Sequence, residues 1–367
     1  MSGGVDSSVA ALRLHRAGYE VVGVTLHLWD YPGGAADGHA RCCAPEDRYD
    51  AARVADLVGF PHYTFDRREL FLRAVVAPFV DAYVAGETPS PCTACNRGVK
   101  LAELFAIADR LGAAHVATGH YARVERDAVG RPWLHRGADR AKDQSYFLYA
   151  TQPAQLERLL FPLGASTKGD VRAEAVVAAL PGAGKGESQE LCFVGAGAHA
   201  YTSFVEGRAA GRLRPGRIVD EAGREVGTHA GIHRFTIGQR KGVGVALGEA
   251  AFVTDVEADT ATVRVGRGDL LAFREAHLDD VFVPHDAADT FAAEVRVRNQ
   301  HAGTRARVVV AREGTARVTF DEPVRAVARG QVAVFHDGDR VLGGGRIARA
   351  VRDTVPVERA DARDAIG

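Results

Sequence analysis

Five cysteines and a serine–glycine loop are the residues of this chain with the means to do chemistry, and their spacing sorts them into groups. Cys92 and Cys95 fall in Thr88-Pro89-Ser90-Pro91-Cys92-Thr93-Ala94-Cys95-Asn96, a proline-rich loop that feeds a predicted helix. A thiol near a helix N-terminus faces the positive end of the helix dipole, which favours thiolate and lowers the pKa from its ordinary value of about 8.5. Such a cysteine is a nucleophile in waiting. Cys192 lies far downstream, in Ser188-Gln189-Glu190-Leu191-Cys192-Phe193-Val194-Gly195, while Cys42 and Cys43 form an adjacent pair. An odd number of cysteines without a secretory signal argues for reduced, catalytic or metal-bound thiols over a disulfide framework.

The second group is Ser2-Gly3-Gly4-Val5-Asp6-Ser7-Ser8, immediately before the first predicted helix. Two glycines permit close backbone approach, and hydroxyls and N–H groups at a helix start make an anion site suited to phosphate. A glycine-rich helix start is by itself more often plain backbone geometry; the complete string is far more specific. A Walker A loop would end in Gly-Lys-Ser/Thr, and this loop has no lysine. Gly184-Lys185-Gly186 lacks the hydroxyl residue and the upstream spacing, and is set aside as a decoy.

The elements that must carry these groups alternate between helix and strand patterns through the first two hundred residues, which predicts an α/β domain with a mainly parallel sheet. Helical patterns cover residues 9–17, 47–58, 70–84, 99–111, 145–160 and 168–180; strand patterns cover 21–28, 62–65 and 115–118. After residue 197 glycine becomes frequent and short β-like segments take over, at 251–256, 262–265, 292–297, 306–311, 316–320, 332–335 and 340–342. Asp337-Gly338 between the last two is a strong hairpin signal. The expected organisation is a catalytic domain over 1–198, a central β domain over 199–270, a barrel-like β domain over 271–352 and a flexible tail over 353–367.

Composition narrows the class. With 46% hydrophobic and 25% charged residues the chain reads as a soluble globular protein, and no apolar run is long enough to span a bilayer. A cytoplasmic enzyme without membrane association is expected. Net charge is −1, so any basic surface must be local; residues 290–352 hold 12 Arg and no Lys against six acidic residues. Because five of the 46 cationic residues in the whole chain are Lys, that excess reflects a general bias to Arg as readily as contact with phosphate.

The phosphate string resembles the pyrophosphate loop of the ATP pyrophosphatase superfamily, adenine-nucleotide alpha hydrolase-like domains that split ATP between its α- and β-phosphates to adenylate a substrate. Members place a β-strand before the loop, whereas Met1 directly precedes Ser2 here, so the expectation is a start assigned too late. Together with the Pro-Cys-x-x-Cys-Asn loop, Ala117-Thr118-Gly119-His120-Tyr121, Lys142-Asp143-Gln144-Ser145-Tyr146-Phe147-Leu148, Leu-Cys-Phe-Val-Gly and Gly238-Gln239-Arg240-Lys241-Gly242, the chain is identified as similar to the tRNA-specific 2-thiouridylases over almost its whole length.

That resemblance implies ATP-dependent replacement of the wobble uridine 2-oxygen by sulfur, with Mg²⁺, in tRNAs for Lys, Glu and Gln, the sulfur coming from a cysteine desulfurase or relay protein. It implies that Cys95 is the nucleophile and Cys192 the carrier of a persulfide. ATP would be held by Ser2, Gly3, Gly4, Val5, Asp6, Ser7 and Ser8, with Leu26 against adenine and Gly119 on the nucleotide. tRNA would meet His120, Lys142, Asp143, Gln144, Arg298, Asn299 and Gln331; Asn299 stands where an aromatic residue is common. Cys92 occupies a position that is Asp in some members, and Arg41-Cys42-Cys43 recurs where that extra cysteine does. Cys92, Cys95 and Cys192 could then ligate a [4Fe–4S] cluster with one open iron. Two further alternatives stay open: another adenylating enzyme of the superfamily, and a non-catalytic tRNA-binding or sulfur-carrier protein.

Overall fold

The computed structural model describes residues 1–30, 45–186, 191–195, 197, 200–245, 250–285, 288–311 and 313–353. Cys42, Cys43, most of the predicted tail and Ser188-Gln189-Glu190 lie outside the described residues.

Two parallel strand pairs form the N-terminal region. Gly23–His27 pairs with His62–Asp66, placing Leu26 opposite Phe65, and Val116–Ala117 pairs with Leu159–Leu160. The parallel arrangement matches expectation, but the pairs are separate two-stranded sheets. Residues 1–8 reach both. The Met1 amino group donates to the Val24 carbonyl and Thr25 Oγ1 donates to the Met1 carbonyl (2.7 Å), while Gly119, just beyond the second pair, lies against the backbone of Asp6 and Ser7. The phosphate string is thereby set between the two pairs.

Three helical stretches build the wall behind the cysteines. Arg68–Phe71, Leu72–Val76 and Ala77–Val84 run on continuously, with a π-helical middle, and bury Phe71, Val75, Val76, Phe79, Val80 and Tyr83. This is the single apolar stripe expected of a helix lying on a core. Pro91–Cys95 continues through a π segment, Asn96–Leu101, into Ala102–Leu111, so Cys95 immediately precedes a widened turn. Such π turns recur at functional sites.

The predicted helix over 145–160 does not form. Ser145–Leu148 is a 3-10 turn, Pro153–Leu156 a single helical turn, and Leu159–Leu160 a strand. Pro153 supplies the reason, because its ring clashes with the carbonyl four residues back and it has no N–H to donate. After residue 197 a helix does occur, Ala200–Arg208, where only β structure is expected from the sequence.

Four strands make the central sheet, in the order Glu225–His229, Gly216–Val219, Thr262–Gly266, Phe252–Glu257. Six more close into a barrel: Ala272–Phe282, Thr315–Arg325, Thr304–Ala311, Thr290–Arg296, Val332–Asp337 and Arg340–Arg352, the last pairing with the first. Alternation is regular in this barrel. Val308, Val318 and Phe320 point inward, whereas Arg305, Arg307 and Arg317 are exposed, so much of the arginine excess faces outward. The Asp337-Gly338 turn is the hairpin anticipated, with Asp337 opposite Arg340. A further hairpin, Ala122–Arg126 with Pro132–Arg136, extends the barrel sheet through His135 opposite Arg340 and so ties the N-terminal region to the barrel. Among the described residues no helix is long and apolar enough to cross a membrane.

Candidate functional site

The phosphate loop is shaped by short hydroxyl bonds. Gly3 is left-handed (φ +70°), and Gly4 is the extended N-cap of the helix Val5–Arg16. Ser2 N donates to Ser7 Oγ (3.1 Å), and the Ser7 and Ser8 hydroxyls donate to the Gly4 carbonyl (3.1 and 3.0 Å). Ser8 is fully buried and Val5 belongs to the core, so these two support the loop from behind. Asp6 accepts from Tyr121 Oη (2.9 Å) and Lys168 Nζ (2.7 Å). A β-carbon on Gly119 would come within 2.8 Å of the Asp6 backbone, which explains why glycine stands there.

The thiols share a second wall with Leu26. Cys95 is buried in a cluster with Leu28, Phe71, Phe79, Val99 and Phe193; Leu26, Leu191 and Cys192 pack against the same cluster. Cys192 is held by its neighbour. Phe193 is 5.6 Å from Phe71, 5.1 Å from Phe79 and 5.3 Å from Phe204, ring centre to ring centre. Each such aromatic pair adds about 1 kcal/mol beyond simple burial. Cys92 is exposed and Cys95 is 5% exposed, so only Cys95 lies in the wall that Cys192 packs on. Among the described residues no three His, Cys, Asp or Glu side chains converge to hold a metal. Cys92, Cys95 and Cys192 as arranged do not fit a three-thiolate iron–sulfur site.

The residues expected to meet tRNA divide by position. His120 Nδ1 lies 2.8 Å from Thr118 Oγ1, and burial, aided by the Lys100 charge, pushes its pKa down to about 3. It is therefore a neutral ring at physiological pH. Gln144 exchanges bonds with Tyr121, accepting from its N–H (3.0 Å) and donating its own N–H to its carbonyl (2.9 Å). Asp143 is buried, accepting from the N–H groups of Gly137 (3.1 Å) and Ser145 (3.0 Å) and from Arg296 (3.2 Å). It is a bracket between the N-terminal region and the barrel, not an outward contact. Lys142 is half-buried beside it. Arg298 is exposed and bonds the Arg325 carbonyl (3.2 Å), whereas Asn299 gives its carbonyl to Arg296.

Gln331 comes to the cysteine loop. Its Nε2 donates to the carbonyls of Thr88 (2.9 Å) and Pro89 (3.3 Å), and Thr88 N donates to the Arg329 carbonyl (2.8 Å). A barrel turn thus holds the segment that leads into Cys92 and Cys95. Gln331→Ala is expected to cost about 1–2 kcal/mol of stability and to speed amide hydrogen exchange across residues 87–91. Unaltered exchange there would show that the clamp does not restrain the loop.

Sequence reasoning sets Lys185 aside as a decoy and gives no role to Lys100 or Lys168, whereas Lys185 is ion-paired to Asp47 and Asp50 and Lys168 to Asp6. The signal that could have found them is the scarcity of lysine, which makes each one less easily dismissed as a solvated charge.

Comparison with known proteins gives consistent matches along the chain. The family described as tRNA methyl transferase HUP domain matches residues 1–196, the tRNA methyl transferase PRC-barrel domain matches 202–267, and the aminomethyltransferase beta-barrel domain matches 279–347. The tRNA-specific 2-thiouridylase MnmA of Sorangium cellulosum is 59% identical over 360 residues, covering 96% of this chain and 92% of that one. The protein of the same name from Solibacter usitatus is 46% identical over 363 residues, covering 95% and 97%. A solved NMN synthetase from Francisella tularensis overlaps 57% of this chain and 83% of that one at 17% identity and a TM-score of 0.31.

Proposed function

The chain belongs to the tRNA-specific 2-thiouridylase family, and from that premise we propose that it activates the wobble uridine of tRNA with ATP and replaces its 2-oxygen by sulfur carried on Cys192. Its class is that of a tRNA-uridine 2-sulfurtransferase. The observation that carries the mechanism is the common wall: Leu26, Cys95 and Cys192 pack on one cluster.

In this reading ATP enters as its Mg²⁺ complex, with the polyphosphate on residues 2–8 and the adenine toward Leu26. The uridine O2 attacks the α-phosphorus, diphosphate leaves, and C2 then carries AMP, a good leaving group where an oxide is a poor one. The terminal sulfur of a Cys192 persulfide attacks C2 and AMP departs with the original oxygen. Cys95 thiolate next attacks Cys192 Sγ, breaking the sulfur–sulfur bond. 2-Thiouridine is released and a Cys95–Cys192 disulfide remains, to be reduced by an external thiol. Burial of Cys95 favours it over the exposed Cys92, since its partner is nearby and competing solvent thiols are excluded.

Residues 1–198 take the nucleotide and sulfur chemistry in this reading, and 199–270 and 271–352 engage tRNA. Lys142, Arg298 and the outer arginines of the barrel supply phosphate contacts, His120 and Gln331 neutral ones. An anticodon loop suits the reaction because its wobble base can be splayed out of the stack. The tRNAs are those for Lys, Glu and Gln, and the sulfur donor is a cysteine desulfurase or a relay from one. The test is tRNA dependence: AMP should accumulate only when tRNA with a wobble uridine is present. Equal AMP formation without tRNA would indicate adenylation of some other acceptor.

A further inference from the structure

Gly184-Lys185-Gly186 is no Walker motif, yet it lies beside the phosphate loop. Lys185 N closes a turn on the Gly182 carbonyl (3.0 Å). A β-carbon on Gly182 would stand 3.1 Å from the Gly3 carbonyl oxygen, 3.5 Å from Lys185 Cδ and 3.6 Å from Asp50 Oδ2. The loop, the lysine stem and an acidic side chain therefore surround one point. Lys185 Nζ lies 2.6 Å from both Asp47 Oδ1 and Asp50 Oδ2. Asp47 also presses its backbone on Gly3, since a β-carbon there would come 2.0 Å from the Asp47 carbonyl oxygen.

Two carboxylates at the wall of a polyphosphate site work against the ligand. The side chains of Asp47 and Asp50 are only 9% and 14% exposed, so water screens them poorly. Lys185 cancels one of the two charges, and Arg53, 70% exposed and 3.5 Å from Asp50 Oδ1, is the more screened and more distant partner of the other. A lysine suits this position better than an arginine: one ammonium nitrogen bridges two carboxylates at equal distance, whereas a guanidinium fork addresses one carboxylate bidentately. In a chain where five of 46 cationic residues are Lys, one of the five stands here.

We infer that Lys185 is a positioning residue of the phosphate site, an electrostatic shield over Asp47 and Asp50 that lets the polyphosphate of ATP settle on the loop. The inference rests on the ATP-dependent reading above. Its test measures the KM for ATP in tRNA-dependent AMP formation by the full chain. Lys185→Ala should raise that KM about tenfold with a smaller change in kcat, as expected for uncovering a charge near a bound anion. Adding Asp50→Asn to Lys185→Ala removes one carboxylate that only the exposed Arg53 would still face, and should restore most of the loss. A double variant no better than the single one, or an unchanged KM in Lys185→Ala, overturns the shield. Should Lys185→Ala fail to fold, Asp50→Asn alone decides: with lysine retained, KM should fall, and an unchanged or higher KM overturns the inference. A wild-type chain that forms no AMP would instead sink the ATP reading itself.

Discussion

Cys95→Ala and Cys192→Ala are each expected to reduce tRNA thiolation to background while ATP is still cleaved, with release of diphosphate, in the presence of tRNA. The two halves of that result come from separate chemical steps. The phosphate loop is held by Ser7, Ser8, Tyr121, Lys168 and Gly119, and attack of the uridine O2 on the α-phosphorus uses neither thiol. Sulfur transfer needs both, one to carry sulfur and one to cleave it free. Cys92→Ala separates the persulfide route from a cluster. Cys92 is exposed, and its loss should leave most thiolation intact. Thiolation lost equally in all three variants, together with iron in anaerobically purified protein, would favour the three-thiolate cluster instead. Wild-type thiolation by either Cys95→Ala or Cys192→Ala would refute the assignment.

Gly3→Ala should slow the earlier step about 100-fold. The added carbon would lie 2.0 Å from the Asp47 carbonyl oxygen and 2.6 Å from its carbonyl carbon, backbone atoms of the helix Pro45–Val58 that have no side-chain freedom to yield. Left-handed φ adds roughly 1–2 kcal/mol for any residue with a β-carbon. The loop must then rebuild by about an ångström, and misplacement of that size costs on the order of 100-fold in rate. Diphosphate release and thiolation should fall together, in contrast to the cysteine variants. Thermal unfolding separates a misplaced loop from a collapsed fold. Full AMP formation by a folded Gly3→Ala protein would mean the loop does not hold the phosphates.

Much of the site is legible in the sequence because its chemistry is local. The phosphate string, the Pro-Cys-x-x-Cys-Asn loop and the stretch around Cys192 each carry their residues within a few positions, and a local breaker such as Pro153 acts on its immediate neighbours. Pro153 is nonetheless easy to pass over, since it sits within an apolar run that otherwise has helical spacing. Ala200–Arg208 escapes for the opposite reason: it is short, weakly amphipathic, and stabilised by Phe204 packing on Phe193 and Phe79. What the sequence does not display is long-range pairing. Nothing in residues 122–136 says that this hairpin will extend a barrel built two hundred residues later, or that Gln331 will clamp Thr88 and Pro89. Asp143, expected at the tRNA, has Gly137, Ser145 and Arg296 as its partners, a bracket visible only once the barrel is in place. Lys185 reads as a decoy on local spacing and gains its meaning from Asp47 and Asp50, more than a hundred residues earlier.

ATP-dependent thiolation of the wobble uridine is tested most directly by mass spectrometry of nucleosides from tRNA incubated with the enzyme, ATP and a sulfur source that can load Cys192. The expected product is 2-thiouridine at the wobble position, formed with one AMP per sulfur and absent when ATP is omitted. AMP formation on tRNA without 2-thiouridine, or 2-thiouridine formed without ATP, would contradict it.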